Sequence, residues 1–125
     1  MNDLVGLAYK WGHRPGDGSG YTDCFQLVCE VRDRLGLSDY REHFAWVYER
    51  YNEETFPRRM LARWLLQHGR RLQAPWHGAV ALLPAAAGGA LGICVENRAI
   101  FIGPGQNVIQ ASLPQGVGRF FWMVR

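Results

Sequence analysis

The sequence predicts an α+β domain in which N-terminal helices pack on a small antiparallel β-sheet. Three observations carry this prediction. Before residue 70, segments with apolar residues at helical spacing lie between capping and stopping residues. After Pro75 the apolar residues come in short runs of strand length, separated by turn residues. The chain has 125 residues and no internal repeat, which fits one domain spanning 1–125 around one core. Helices first and strands second is the order of an α+β domain, with the helices on one side of the sheet.

Each element follows from local chemistry. Leu4, Leu7, Ala8 and Trp11 share helical spacing, so residues 1–11 read as a short helix or turn. Residues 12–20 hold four glycines and a proline and can only be a loop. A helix begins near Asp23, with Thr22 or Asp23 as its cap and Phe25, Val28, Cys29, Val31 and Leu35 along its apolar side. Gly36 stops it in the left-handed conformation. Ser38 is the expected cap of a second helical segment carrying Phe44, Val47 and Tyr51. Thr55 and Pro57 signal a third helix, with Met60, Leu61, Trp64, Leu65 and His68 on one face and Gly69 at its end. Strands are predicted over 78–83, 91–95, 99–102, 108–112 and 120–124. A hairpin near Asn97-Arg98 joins the second and third, and residues 85–89 read as a loop. The very apolar last run predicts a central strand; left exposed, it would be a docking edge.

Composition excludes several classes of function. At 48% hydrophobic and 20% charged residues, the chain is neither a disordered tail nor a fibrous protein. It has no apolar run of about 18 residues, the length a membrane span needs. Met1–Lys10 lacks a basic leader followed by a long apolar stretch, so no cleaved secretory signal is expected. Cys24, Cys29 and Cys94 form no CxxC and no Cys/His ligand spacing, so neither a metal nor a cofactor is expected. The net charge of +3 hides a split. Up to residue 55 there are ten acids and six bases; from Phe56 onward Glu96 is the only acid against eight arginines. The basic half carries no nucleic-acid-binding motif, so its expected partner is solvent or protein. The five tryptophans read as core or interface residues rather than a sugar-stacking platform. Gly103-Pro-Gly-Gln106 is a turn, since it lacks the lysine continuation of a phosphate loop.

The segment with chemical potential is Tyr21-Thr22-Asp23-Cys24-Phe25-Gln26-Leu27-Val28. It puts a cysteine in the first turn of a helix, where unpaired N–H groups and the positive end of the helix dipole converge. That placement is a recipe for a lowered thiol pKa and an exposed nucleophile.

Tyr9-Lys10-Trp11-Gly12, the Pro/Gly loop, Thr22-Asp23-Cys24 and the helix with Leu27-Val28, followed by a strand opening at Gly78, resemble the NlpC/P60 family. Its members are papain-like cysteine peptidases that cut bacterial cell-wall peptides. The similarity is strong over residues 9–28, moderate over 78–83 and weak beyond. The Thr-Asp-Cys form and the short length look most like the variety found in phage tails. The resemblance implies Cys24 as nucleophile, Asp23 as the preceding acid, Tyr9 near the oxyanion position and Gln110 as the third, orienting residue. It also marks departures. Ala79 replaces the aspartate after Gly78, and Phe25-Gln26 replaces Ser-Gly after the cysteine. The family histidine falls on Ala90 in one register and on Asn97 in another. Cysteine attack on an amide needs a base that later protonates the leaving amine. His13, on the loop before Cys24, and His77, before the first sheet strand, are the substitutes to weigh. His43 and His68 read as structural or solvent-facing.

The expectation is therefore a papain-like NlpC/P60-type domain with a degraded peptidase site. It would serve as a structural or assembly component of a phage tail, near the hub or tip, assembled in the host cytoplasm and bound to other tail proteins. Two rivals stand beside it. One is an active peptidase or amidase on peptidoglycan peptides; the other is a binder of those peptides without turnover.

Overall fold

A computed structural model describes residues 1–84, 90–112 and 118–123. The expected loop at 85–89, and Val124 at the end of the last expected strand, lie outside the described residues. Two short strands, β1 (Ala8–Tyr9) and β2 (Tyr21–Thr22), come first, then the helices α1 (Cys24–Arg34), α2 (Ala45–Arg50) and α3 (Arg59–His68). The remaining strands are β3 (Gly69–Leu72), β4 (Val80–Leu83), β5 (Ala90–Val95), β6 (Arg98–Ile102), β7 (Val108–Ala111) and β8 (Arg119–Met123). The fold is α+β: the three helices pack against a six-stranded antiparallel sheet of order β3-β8-β4-β5-β6-β7.

The core forms between α1, α3 and one face of the sheet. Leu27, Val28, Val31 and Leu65 meet Val80, Leu91, Ile93, Ile100, Phe121 and Met123 there. Valine is a poor helix former, by at most about 0.7 kcal/mol per residue. Burying its side chain returns roughly 1.5 kcal/mol or more, so packing decides that α1 is helical. The opposite sheet face carries a smaller cluster of Ala79, Ala81, Leu83 and Cys94 with Leu72, Phe101 and Phe120. No helix residue joins it among the described residues.

Several expectations change in detail. Residues 2–6 form turns rather than a helix, and β1 pairs in parallel with β2 to close the glycine loop. Of the two candidate caps of α1, Asp23 takes the role and Thr22 does not; Gly36 adopts φ +76° as expected. Ser38 does not cap α2. Its carbonyl instead accepts a hydrogen bond from Arg32 Nε, and α2 starts after Phe44 without a side-chain cap. Thr55 is held in a turn with Asn52, so α3 starts later, after Arg58. Gly69 ends α3 but immediately begins β3, a strand whose Gly-Arg-Arg-Leu sequence has no strand signature. β8 lies between β3 and β4, the interior place expected for it.

Arg32 ties these layers together. It is 2% exposed and forms no salt bridge among the described residues. Its guanidinium donates to the carbonyls of Ser38, Gly78 (3.4 Å) and Met123 (3.5 Å) and lies 5.8 Å from the Tyr40 ring. A buried cation is tolerable only with such partners. Arg32→Met keeps the stem's volume but strands these carbonyls. It is expected to lower stability by roughly 3 kcal/mol in urea denaturation, with the fold retained at low denaturant.

Candidate functional site

The N-terminus of α1 is built around Asp23. Its Oδ1 accepts from Gln26 N (2.8 Å) and its Oδ2 from Gly12 N (2.9 Å), and the Tyr48 hydroxyl donates to the same carboxylate. The side chain thus caps α1, holds the loop after β1 and anchors α2. Burial raises the Asp23 carboxyl above its ordinary range, against the pull of these three donors.

Cys24 follows as the first residue of α1, half-buried, beside the start of β5. The helix-end N–H groups and the backbone N–H of Leu91 act on its sulfur in the direction the sequence suggests. Burial and the neighbouring Asp23 charge act the other way and prevail. The thiol is pushed up to about 11. This corrects the expectation of a lowered thiol pKa. The helix-end contribution is present, but it is outweighed by desolvation, which position along a sequence does not reveal.

Cys24 borders a cavity of about 650 Å³. Its walls are mainly aromatic. Trp11 stacks obliquely on Tyr48 and Phe56 (5.0 and 5.1 Å between ring centroids), and Phe25 meets Trp64 edge-on (5.2 Å). Tyr9, Asp23, Tyr48, Glu53 and Arg58 are the ionisable groups besides Cys24. The Tyr9 hydroxyl is bonded to Glu53, and burial with the Glu53 charge holds its pKa above the usual value.

Of the residues singled out from sequence, the structure brings Tyr9, Asp23 and Cys24 to this cavity. Gln110, His13 and His77 are not among its lining residues. Gln110 is on β7, paired with Ile100 two strands from β5. The His13 ring turns to Asp17 (Nδ1 to Oδ2, 3.1 Å) and lies 5.9 Å from Tyr21. His77 Nδ1 accepts from Glu96 N (2.9 Å) beyond the Val80 end of β4, whereas the cavity meets the Leu83 end. That strand alone separates them by about 10 Å. His43 and His68 do not line the cavity; they form an aromatic cluster with Phe44, which does. Among the described residues, no histidine lines the cavity.

Ala90 also lines it, next to Leu91, whose backbone contacts the thiol. Asn97 is in the turn at the far end of β5. Sequence reasoning missed the aromatic wall from Phe44, Tyr48, Phe56 and Trp64, and with it Glu53 and Arg58. The available signal was the aromatic density of residues 44–64, which reads equally well as ordinary core. No group of three or more potential metal ligands occurs among the described residues. No family model, curated protein or solved structure matches the chain.

The arrangement favours a neutral, unreactive thiol at physiological pH. Carbamidomethylation of Cys24 by iodoacetamide, located by peptide mass spectrometry, is expected to stay slow through pH 9. Thiolate forms only as pH approaches the raised pKa of about 11. A rate that levels off below pH 8 contradicts this environment.

Proposed function

We propose that the chain is an NlpC/P60-like domain of papain type that has lost peptidase chemistry and serves as an assembly component of a phage tail, at the hub or tip. The observation that carries the loss of chemistry is the cavity beside Cys24: no imidazole lines it among the described residues, and burial with the Asp23 charge raises the thiol pKa. Amide cleavage needs a thiolate to attack and an acid to protonate the departing amine. Asp23 fills neither role, because three donors already occupy its carboxylate. Loss of one member of a nucleophile–base pair removes most of the rate, since the members act as a unit.

The layout supports the family reading. A cysteine at the N-terminus of a helix abuts the first residues of a strand, where the resemblance places the histidine; this chain has Ala90-Leu91 there. The tail assignment rests on the Thr22-Asp23-Cys24 form. A domain that keeps a peptidase-like body without its chemistry retains a shaped surface for partners, here expected to be other tail proteins.

Digestion of purified peptidoglycan, read by mass spectrometry of released fragments, is expected to show nothing beyond the Cys24→Ala control across pH 5–9. Fragments that disappear with Cys24→Ala would establish an active peptidase instead. Saturable muropeptide binding without release would establish a wall-peptide binder. The tail assignment is checked separately, by mass spectrometry of purified tail particles: it requires the chain among their components and is lost if the chain is absent.

A further inference from the structure

The two edges of the sheet are finished differently. The outer side of β7 is covered by the N-terminal segment: Gly6 N donates to Val108 O (2.9 Å), Val108 N to Leu7 O (2.8 Å), and Tyr9 N to Gln106 O (2.8 Å). The outer side of β3 has no such cover. Gly69–Leu72 pair with β8 on one side, and no backbone partner meets the other side among the described residues.

Charge distinguishes this edge further. From Phe56 to Pro84 the sequence has no acid and five arginines: Arg58, which lines the Cys24 cavity, and Arg59, Arg63, Arg70 and Arg71, which do not. None forms an ion pair among the described residues. Arg59 and Arg63 are exposed on α3 with Leu66, which is 71% exposed; Arg70 and Arg71 are exposed on β3 itself. Trp76 follows, 57% exposed. Arg71 lies over the Phe121 ring, a residue of the helix-side core, so strand alternation puts Arg70 on the opposite face.

We propose that the open edge of β3 is a docking site for an extended, acidic segment of a partner polypeptide, which adds to the sheet as a further strand. The backbone of β3 supplies ladder hydrogen bonds to such a strand, and the arginines select its charge. Arginines on both faces of the edge bracket an added strand from above and below. A nucleic acid would gain nothing from the free backbone edge. A second copy of this chain joined β3 to β3 would set arginine against arginine. Exposed edge charges ordinarily keep other strands away; an acidic strand is the partner for which the same charges attract. The proposal is independent of the reading of the Cys24 cavity.

The probe is a decapeptide of glutamate, aspartate and valine, with acids at odd and even positions. Fluorescence anisotropy measures its binding, and amide hydrogen exchange locates it. Binding with slowed exchange at Gly69–Leu72 is expected. Arg70→Glu with Arg71→Glu should weaken it by about tenfold or more. Arg70→Gln with Arg71→Gln should give a smaller loss in the same direction, and circular dichroism checks that both variants are folded. N-methylation of alternate peptide amides should abolish binding while leaving the charge unchanged. The proposal fails if the peptide does not bind, if the N-methylated peptide binds equally, or if protection falls elsewhere. It also fails if a single-stranded oligonucleotide of equal charge binds more tightly through the same arginines.

Discussion

Helix α1 runs through the interior, and an interior helix has to satisfy its own ends. Its four leading N–H groups and four trailing carbonyls have no partners within the helix. The chain meets this constraint with the Asp23 side chain at the start, which takes the Gln26 N–H, and with the backbone N–H groups of Leu35, Gly36 and Leu37 at the end; a buried ionisable side chain also stands near each end. Asp23 sits at the N-terminus, where the helix dipole favours an anion, and Arg32 in the last turn, where it favours a cation. Neither forms an ion pair among the described residues. Each is satisfied by groups from distant segments: Asp23 by Gly12 and Tyr48, Arg32 by Ser38, Gly78 and Met123. The two charges therefore settle α1 and also fix where the first loop, α2, the entry to β4 and the exit of β8 lie.

The same constraint shapes the chemistry next door. A helix N-terminus activates a thiol when it is open to solvent and free of other anions. At Cys24 the neighbouring anion is the cap itself, and the aromatic residues that enclose α1 remove the water that would stabilise a thiolate. A reactive cysteine in this setting would need an imidazolium to offset both penalties. The architecture that stabilises the helix start also raises the thiol pKa. Structural stability and nucleophilic reactivity compete at this position, and the observed environment favours stability.

How much of this was legible in the sequence depended on whether the cause was local. Asp23 as cap, Gly36 as stop, the strands after Pro75 and the interior place of β8 follow from propensity, turn chemistry and hydrophobicity within a few residues. What escaped was decided at long range. β3 reads as polar linker because its strand conformation comes from pairing with β8, some fifty residues later in the chain. Ser38 looked like a cap, yet the need of Arg32 for a buried carbonyl claimed that stretch of backbone. The positions of Tyr9, Asp23 and Cys24 around one cavity were readable from a motif, but the sign of the thiol shift was not. It depends on burial and on the Asp23 charge at close range, and burial comes only with folding.

The charge split along the chain acquires its meaning from the same accounting. Many acids of the N-terminal half are committed to internal work: Asp3 and Glu30 hold Arg34, Glu30 also reaches Arg41, Asp17 closes the glycine loop, and Asp23 caps α1. These carboxylates are partly neutralised at short range and contribute little to the outward field. The arginines of α3 and β3 have no such commitments among the described residues. A net charge of +3 therefore understates what an approaching molecule meets at this edge of the sheet. Among the described residues, Arg70 and Arg71 stand without ion pairs on a sheet edge that no backbone covers, and there the field can steer a partner before any contact forms.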